Sequence, residues 1–553
     1  MKARLGKSEA APAATTVYRL DNGLTVVLRE DHFAPVSALQ IWVKAGAADE
    51  MDPEAGVAHV HEHMLFKGTE RRAVGEIASE IESAGGRINA WTSWDQTVYH
   101  VVVASRHTDT ALDVLADAVR HSSFDPVELD RELGVVLEEY KRGQDSPGQR
   151  IFKAMFDAAY TAHPYRRPVI GTEESIKGLT REKVLSFFKR FYAPNNMVLI
   201  AVGDFDSDHL KKQIDALLGD FEPRPIARPK RPVEPPQREL RLRTERMQVR
   251  EAHLALGFHI PSAEHEDAPL LDMLAFVLGE GETSRLYRRL VIDSQLATAA
   301  SAYAYTPPDP GMFMVSASLE ASDLVKAYEA AIDELARIRN EPVSDEELER
   351  ARANLEADFV YQAETVQGQA RELGYSVVIH GDPNYDRVYL ERIRSATAAD
   401  LERVARTYLR SENLTIVELL PEDAPAALDH DKALRVAAAL DRGSSEGVAV
   451  ARAEGGAQSG AARAGGAATA GGETAAPEAT SRAEGAEPAA VGSDGRAAEA
   501  GPPAASGQAS VVKAGVGGTA NAADSAEAAA LGEAESSEAA GAAAADHVRR
   551  AGK

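Results

Sequence analysis

Residues 180–202 read TREKVLSFFKRFYAPNNMVLIAV, and residues 397–419 read TAADLERVARTYLRSENLTIVEL. Each couples an amphipathic helical pattern to an apolar run of strand length. Laid over one another, Val184 meets Leu401, Phe191 meets Tyr408 and Asn196 meets Asn413, and the connecting loops have equal length. This self-similarity predicts a duplicated unit, two copies of one helix-and-strand design in a single chain.

Working outward from the first copy, VYRLDNGLTVVL and SALQIWVKAG within residues 16–46 alternate apolar and polar positions, and Asp21-Asn22-Gly23 is a hairpin signal. Residues 55–67 and 74–84 carry helical periodicity, the second ending at Gly85-Gly86. RINAWTSW and TVYHVVVA read as two further strands. Helices are expected at about 106–122, 126–145 and 147–160, and DHLKKQIDALLGDF closes the unit. The stretch EPRPIARPKRPVEPPQ (222–237) is proline-rich, basic and without apolar periodicity, as in a semi-rigid connection. The expected fold is α+β: two homologous domains, 15–222 and 245–430, each a mostly antiparallel sheet packed with helices, joined by a linker at 223–244. Residues 443–553 are rich in Ala, Gly, Ser and Glu and hold no aromatic residue. They cannot bury enough apolar surface to offset the entropy of ordering, so a disordered tail is expected.

The chain has 553 residues, no cysteine and a formal net charge of −25. Disulfides and thiolate metal sites are excluded. The acidic balance argues against a nucleic-acid partner, which would require a basic stripe. No stretch approaches the roughly 20 apolar residues of a membrane span. The opening MKARLGKSEAAPAATTVY is positively charged but has no apolar core, so it does not read as a secretory signal. A cytoplasmic location is expected, or a periplasmic one should the start be misassigned.

Residues 58–66, AHVHEHMLF, place three histidines and a glutamate in an apolar helical run. His59 and His63 are at i and i+4 on one helix face, where two imidazoles can grip one zinc ion. Glu62 borders that face, and His61 points nearly opposite. A zinc hydrolase needs a third protein ligand and an open fourth position. Candidates lie in DRELGVVLEEYKRG: Glu132 and Glu139 are two helical turns apart on one face, and Glu138 is rotated off it. Buried carboxylates on that stripe call for a cation or hydrogen bonds to compensate them.

His-x-x-Glu-His is the inverted zinc motif of the inverzincins. GVAHVHEHMLFKGT, GGRINAWTSWDQTVYH, ELDRELGVVLEEY and HPYRRPVIGTEESI together closely resemble the M16, or pitrilysin-like, metallopeptidases. The resemblance spans about residues 15–425 and is nearest to the two-domain subfamily that includes the mitochondrial processing peptidase β subunit and bacterial relatives. It implies a peptidase with one Zn2+ per chain. His59, His63 and Glu139 match the metal ligands, Glu62 matches the general base, and Glu132 matches the supporting acid of the Glu-x6-Glu pair. RINAWTSW resembles the edge strand on which the family pairs its peptide substrate, with Asn89 and Ala90 at the positions beside the scissile bond.

One family feature is missing. Self-sufficient members carry an Arg-x6-Tyr pair after a Ser-Arg-Leu segment in the second domain. Here SRLYRRLVIDSQLATAASAYAY puts Val291 at the arginine position and Thr298 at the tyrosine position. The resemblance therefore implies the zinc-bearing half of a heterodimer whose homologous partner supplies the pair. Such an enzyme would enclose short or unfolded peptides in a chamber. A self-sufficient homodimer and a non-catalytic assembly subunit are the alternatives.

Overall fold

Two sheets organise residues 14–425 and 427–442, the residues described by the computed structural model. The first sheet contains β1 (Thr15–Arg19), β2 (Thr25–Glu30), β3 (Val36–Val43), β4 (Arg87–Thr92), β5 (Thr97–Ala104) and β6 (Met197–Gly203) in the order β1-β2-β6-β3-β5-β4. The second contains β7 (Arg241–Met247), β8 (Ala252–His259), β9 (Ala299–Tyr305), β10 (Met312–Leu319) and β11 (Leu414–Pro421) in the order β7-β11-β8-β10-β9. Only β2–β6 and β7–β11 pair in parallel; the other neighbours are antiparallel. Without β1 the two strand orders correspond one to one, so the expected α+β duplication is what the chain builds.

The first half also carries α1 (Val57–Met64), α2 (Glu76–Ser83), α3 (Thr108–His121), α4 (Pro126–Asp145), α5 (Pro147–Ala159), α6 (Glu173–Lys177), α7 (Arg181–Phe191) and α8 (Ser207–Leu218). The second carries α9 (Ala268–Gly279), α10 (Arg285–Tyr287), α11 (Leu324–Asn340), α12 (Asp345–Gln362), α13 (Val366–Ile379), α14 (Tyr385–Ser395), α15 (Ala398–Tyr408) and α16 (His430–Ala437). Among the described residues, no helix is long and apolar enough to cross a membrane. The tail expected at 443–553 lies outside the described residues.

The repeated segment is matched in its hydrogen bonds. Thr180 caps α7 by accepting from Lys183 N–H, and Thr397 caps α15 by accepting from Asp400 N–H. Asn196 donates to Phe191 O at 2.9 Å, and Asn413 donates to Tyr408 O at 2.8 Å. In both copies this amide satisfies an orphan carbonyl at the helix end and turns the chain into a buried strand.

Each half lends a helix to the other. α5 packs Met155, Phe156 and Ala159 on Met312, Met314 and Val417 of the second sheet. α13 packs Ala370, Leu373 and Tyr375 on Trp42, Val198 and Ile200 of the first. This double covering explains why β6 is apolar throughout and why β11 is buried on both faces, polar Thr415 and Glu418 included. The proline-rich segment is anchored as well. Arg231 bridges Asp95 and Asp309 at 2.6 and 2.7 Å, while Glu234 accepts the N–H groups of Thr161, Ala162 and His163. β7 begins at Arg241, inside the stretch read from sequence as linker. RLRTERM lacks alternation because it is a sheet-edge strand with no residue fully buried.

Candidate metal centre

α4 starts where Asp125 accepts from Val127 and Glu128 N–H and Pro126 takes the first helical position. It runs uninterrupted to Asp145, so Glu132 and Glu139 stay on one face and meet α1. His59, His63 and Glu139 converge: their ligand atoms all lie within 4.8 Å of one another. His59 Nε2 is 3.7 Å from Glu139 Oε1, and His63 Nε2 is 3.5 Å from Glu139 Oε2. Tetrahedral donors each ~2.1 Å from a zinc ion would stand about 3.4 Å apart, so the residues present fit zinc in both chemistry and spacing.

Glu132 does not join that trio. Its Oε2 faces His63 Nδ1 at 3.3 Å, and its Oε1 is 2.7 Å from Lys67 Nζ. Lys67, Glu132 and His63 thus form a line that ends at the ligand face, the carboxylate–histidine arrangement that orients metal-bound imidazoles. Burial disfavours a charge on His63, but its bonds to Glu132 and Glu139 outweigh that and push it up to about 10. Burial also raises Glu139, yet His59 and His63 reverse the effect and bring it down to about 2. The metal-free centre therefore holds a proton on His63 between two carboxylates. Burial lowers His59.

Glu62 is buried beside Tyr99 and Tyr192, whose hydroxyl oxygens meet at 2.7 Å; burial raises both phenols, and Glu62 adds to the rise. His61 points away from the centre, as its spacing predicts. It donates from Nδ1 to Val57 O at 2.7 Å, packs among Phe124, Phe187 and Tyr192, and burial takes it down to about 4. Glu138 is exposed and pairs with Lys141.

β4 is the edge strand of the first sheet, and α1 packs against it. Ser93 N–H bonds Gln96 O at the hairpin. Stepping back in twos from that pair turns the main chain of Trp91 and Asn89 toward β5 and leaves that of Thr92, Ala90 and Ile88 facing away from the sheet. Ala90 N–H is taken up by Asn89 Oδ1 at 2.8 Å. Asn89 is exposed, whereas Ala90 is 5 % exposed, so their contributions differ: a side chain from one and main-chain groups from the other.

The second half holds no copy of this centre among the described residues. Val291 lies in a π-type turn, Arg288–Asp293, packed on the second core, and Thr298 bonds Ser318 O. Arg285 is held by Glu347 at 2.6 and 2.9 Å. Two contributors were not legible in the sequence. Lys67 gains its role only when α1 and α4 meet. Glu50 is 4 % exposed and accepts Gly56 N–H at 2.9 Å and Ala58 N–H at 2.8 Å.

Residues 25–173 match the family described as insulinase (peptidase family M16), and residues 178–355 match the peptidase M16 inactive domain. The chain is 30 % identical over 387 residues to the uncharacterized zinc protease YmxG of Bacillus subtilis, covering 70 % of this chain and 93 % of that protein. The chain belongs to the M16 peptidase family. Among its M16 relatives, a probable mitochondrial-processing peptidase subunit beta of Arabidopsis thaliana is 28 % identical, over 74 % of this chain and 79 % of that protein. The crystal structure of a protease from Helicobacter pylori superposes with a TM-score of 0.70 at 27 % identity, covering 74 % of this chain and all of that one.

Proposed function

We propose that this M16 chain is a zinc-dependent endopeptidase for short or unfolded peptides, and that it is the zinc-bearing subunit of a two-subunit enzyme. The convergence of His59, His63 and Glu139 from two helices beside an unpaired sheet edge carries this reading. One zinc ion, held by those three residues, would supply an acidified water and a Lewis acid for the scissile carbonyl. An extended peptide adds to β4 as a further strand and binds through main-chain groups, which makes little demand on its sequence. To receive it, Asn89 releases Ala90 N–H. Glu62 accepts the proton of the attacking water and returns it to the departing amine. Glu132 and Lys67 hold His63 in place.

The residues at the Arg-x6-Tyr positions support the need for a partner. Val291 and Thr298 offer neither a cation nor a phenol, and Arg285 is committed to Glu347. A homologous subunit bearing the pair would complete a chamber of four similar domains. The test is cleavage of a quenched fluorescent peptide of about a dozen residues, with Glu62→Ala as control. Expected is zinc-dependent cleavage by the wild type once an Arg/Tyr-bearing partner is present, and none by the variant. Full activity of the chain alone points to a self-sufficient homodimer. Inactivity with zinc and partner both bound makes it an assembly subunit.

A further inference from the structure

The helix that carries both histidines has no cap of its own. α1 begins after Gly56, which sits in the left-handed region at φ 92° and offers no side chain. Nothing larger fits, because a Cβ there would lie 2.5 Å from Ile170 O. The facing residue is itself a left-handed glycine, Gly171 at φ 88°, whose Cβ would lie 2.5 Å from Ala55 O. This back-to-back crossing fixes the entry to α1 and removes the Ser, Thr, Asp or Asn that normally closes a first turn. The free N–H groups of such a turn must still be satisfied.

Glu50 satisfies two of them from outside the helix. Its two carboxylate oxygens separately accept Gly56 and Ala58 N–H, the latter one residue before His59. Arg167 fixes the Glu50 main chain by donating to its carbonyl at 2.8 Å and to Ala47 O at 3.2 Å. A buried carboxyl set against the first turn of a short helix closes that end through its two acceptor oxygens. We propose that Glu50 is a positioning residue for the metal centre: by supplying the missing cap, it sets the pose of α1 and hence the placement of His59 and His63 against Glu139.

This inference rests on the metal reading above, and one experiment separates them. Wild type and Glu50→Gln are compared for zinc affinity by chelator competition and, after cobalt(II) substitution, for visible absorption. Thermal melting in EDTA reports the fold. Glutamine keeps the shape and one acceptor but places an N–H2 against the second backbone N–H. Expected is an E50Q protein that folds without metal, binds zinc about tenfold more weakly or worse, and shows an altered cobalt spectrum. Wild-type affinity and spectrum in E50Q overturn the proposal. Absence of zinc binding by the wild type overturns the metal reading instead. Should E50Q fail to fold, Glu50→Asp, which cannot reach both N–H groups, takes its place. Weakened zinc binding by folded E50D supports the role, and wild-type binding ends it. Loss of fold in both variants that zinc does not restore makes Glu50 a folding residue only, which also ends it.

Discussion

Glu132 Oε2 lies 3.3 Å from His63 Nδ1, on the side of the ring away from Glu139. The carboxylate thus orients the imidazole without reaching the ligand face. Replacing Glu132 by Gln keeps an acceptor but removes the charge and strands Lys67. Zinc affinity should fall by roughly 10- to 100-fold, as for other partners of metal-bound histidines. Chelator competition measures this, and an unchanged melting curve in EDTA would show that the fold is intact.

Metal binding should release a proton. His63 is pushed up to about 10 in the metal-free centre, so at pH 7 it carries a proton that a metal must displace. Affinity for zinc should therefore rise with pH between about 6 and 10. Calorimetry at pH 7 in buffers of different ionisation enthalpy should register about one proton released per zinc bound. A buffer-independent heat would contradict this protonation state.

The edge of β4 should govern peptide affinity rather than metal affinity. Ala90→Pro deletes the outward N–H at a position where an edge strand tolerates proline. The expected outcome is a KM raised severalfold with zinc content unchanged. Loss of zinc together with peptide binding would mean that β4 supports the centre rather than the substrate.

A second pH effect lies far from the centre. Burial pushes Asp272 up to about 7, against a hydrogen bond from Tyr389 OH at 2.8 Å. Because the folded pKa is the higher one, this group's contribution is fully present below about pH 4 and is lost as pH climbs through 7. Asp272→Asn cannot titrate, so its stability relative to wild type should improve from about pH 4 to about pH 7 and level off above that. Half-buried Glu372, also raised to about 7, keeps part of the slope in the variant. Thermal melts across that range decide it.

Gly374 of α13 rests on the Trp42 indole, and an added Cβ would land on the ring. Overpacking of this kind costs about 1–3 kcal/mol, occasionally more. Gly374→Ala should lower the urea midpoint accordingly. A wild-type midpoint would show that α13 shifts freely on β3.

Much of the local structure was legible. Helix 126–145 was readable to the residue, because Asp125-Pro126 and Ser146-Pro147 punctuate both ends chemically. The duplication showed in Asn196 and Asn413, since the same turn needs the same amide. Helical spacing puts His59 with His63 and Glu132 with Glu139 on one face each, and the family resemblance gave the four residues their roles. β7 was missed because an exposed edge strand has no apolar alternation to display.

The sequence by itself determined the periodic elements, the repeat and the residue types able to bind a metal, because these depend on neighbours within a few positions. Periodicity left open which carboxylate faces the two histidines; the family resemblance named Glu139, and the tertiary structure supplies the geometry, with Glu132 standing behind His63. Only the tertiary structure decided that Glu50 caps the histidine helix and that α5 and α13 each cover the other half's sheet. Those contacts join residues far apart in the chain. Their geometry is set by the packing of α1 on α4 and of helices on sheets, and no local pattern records it.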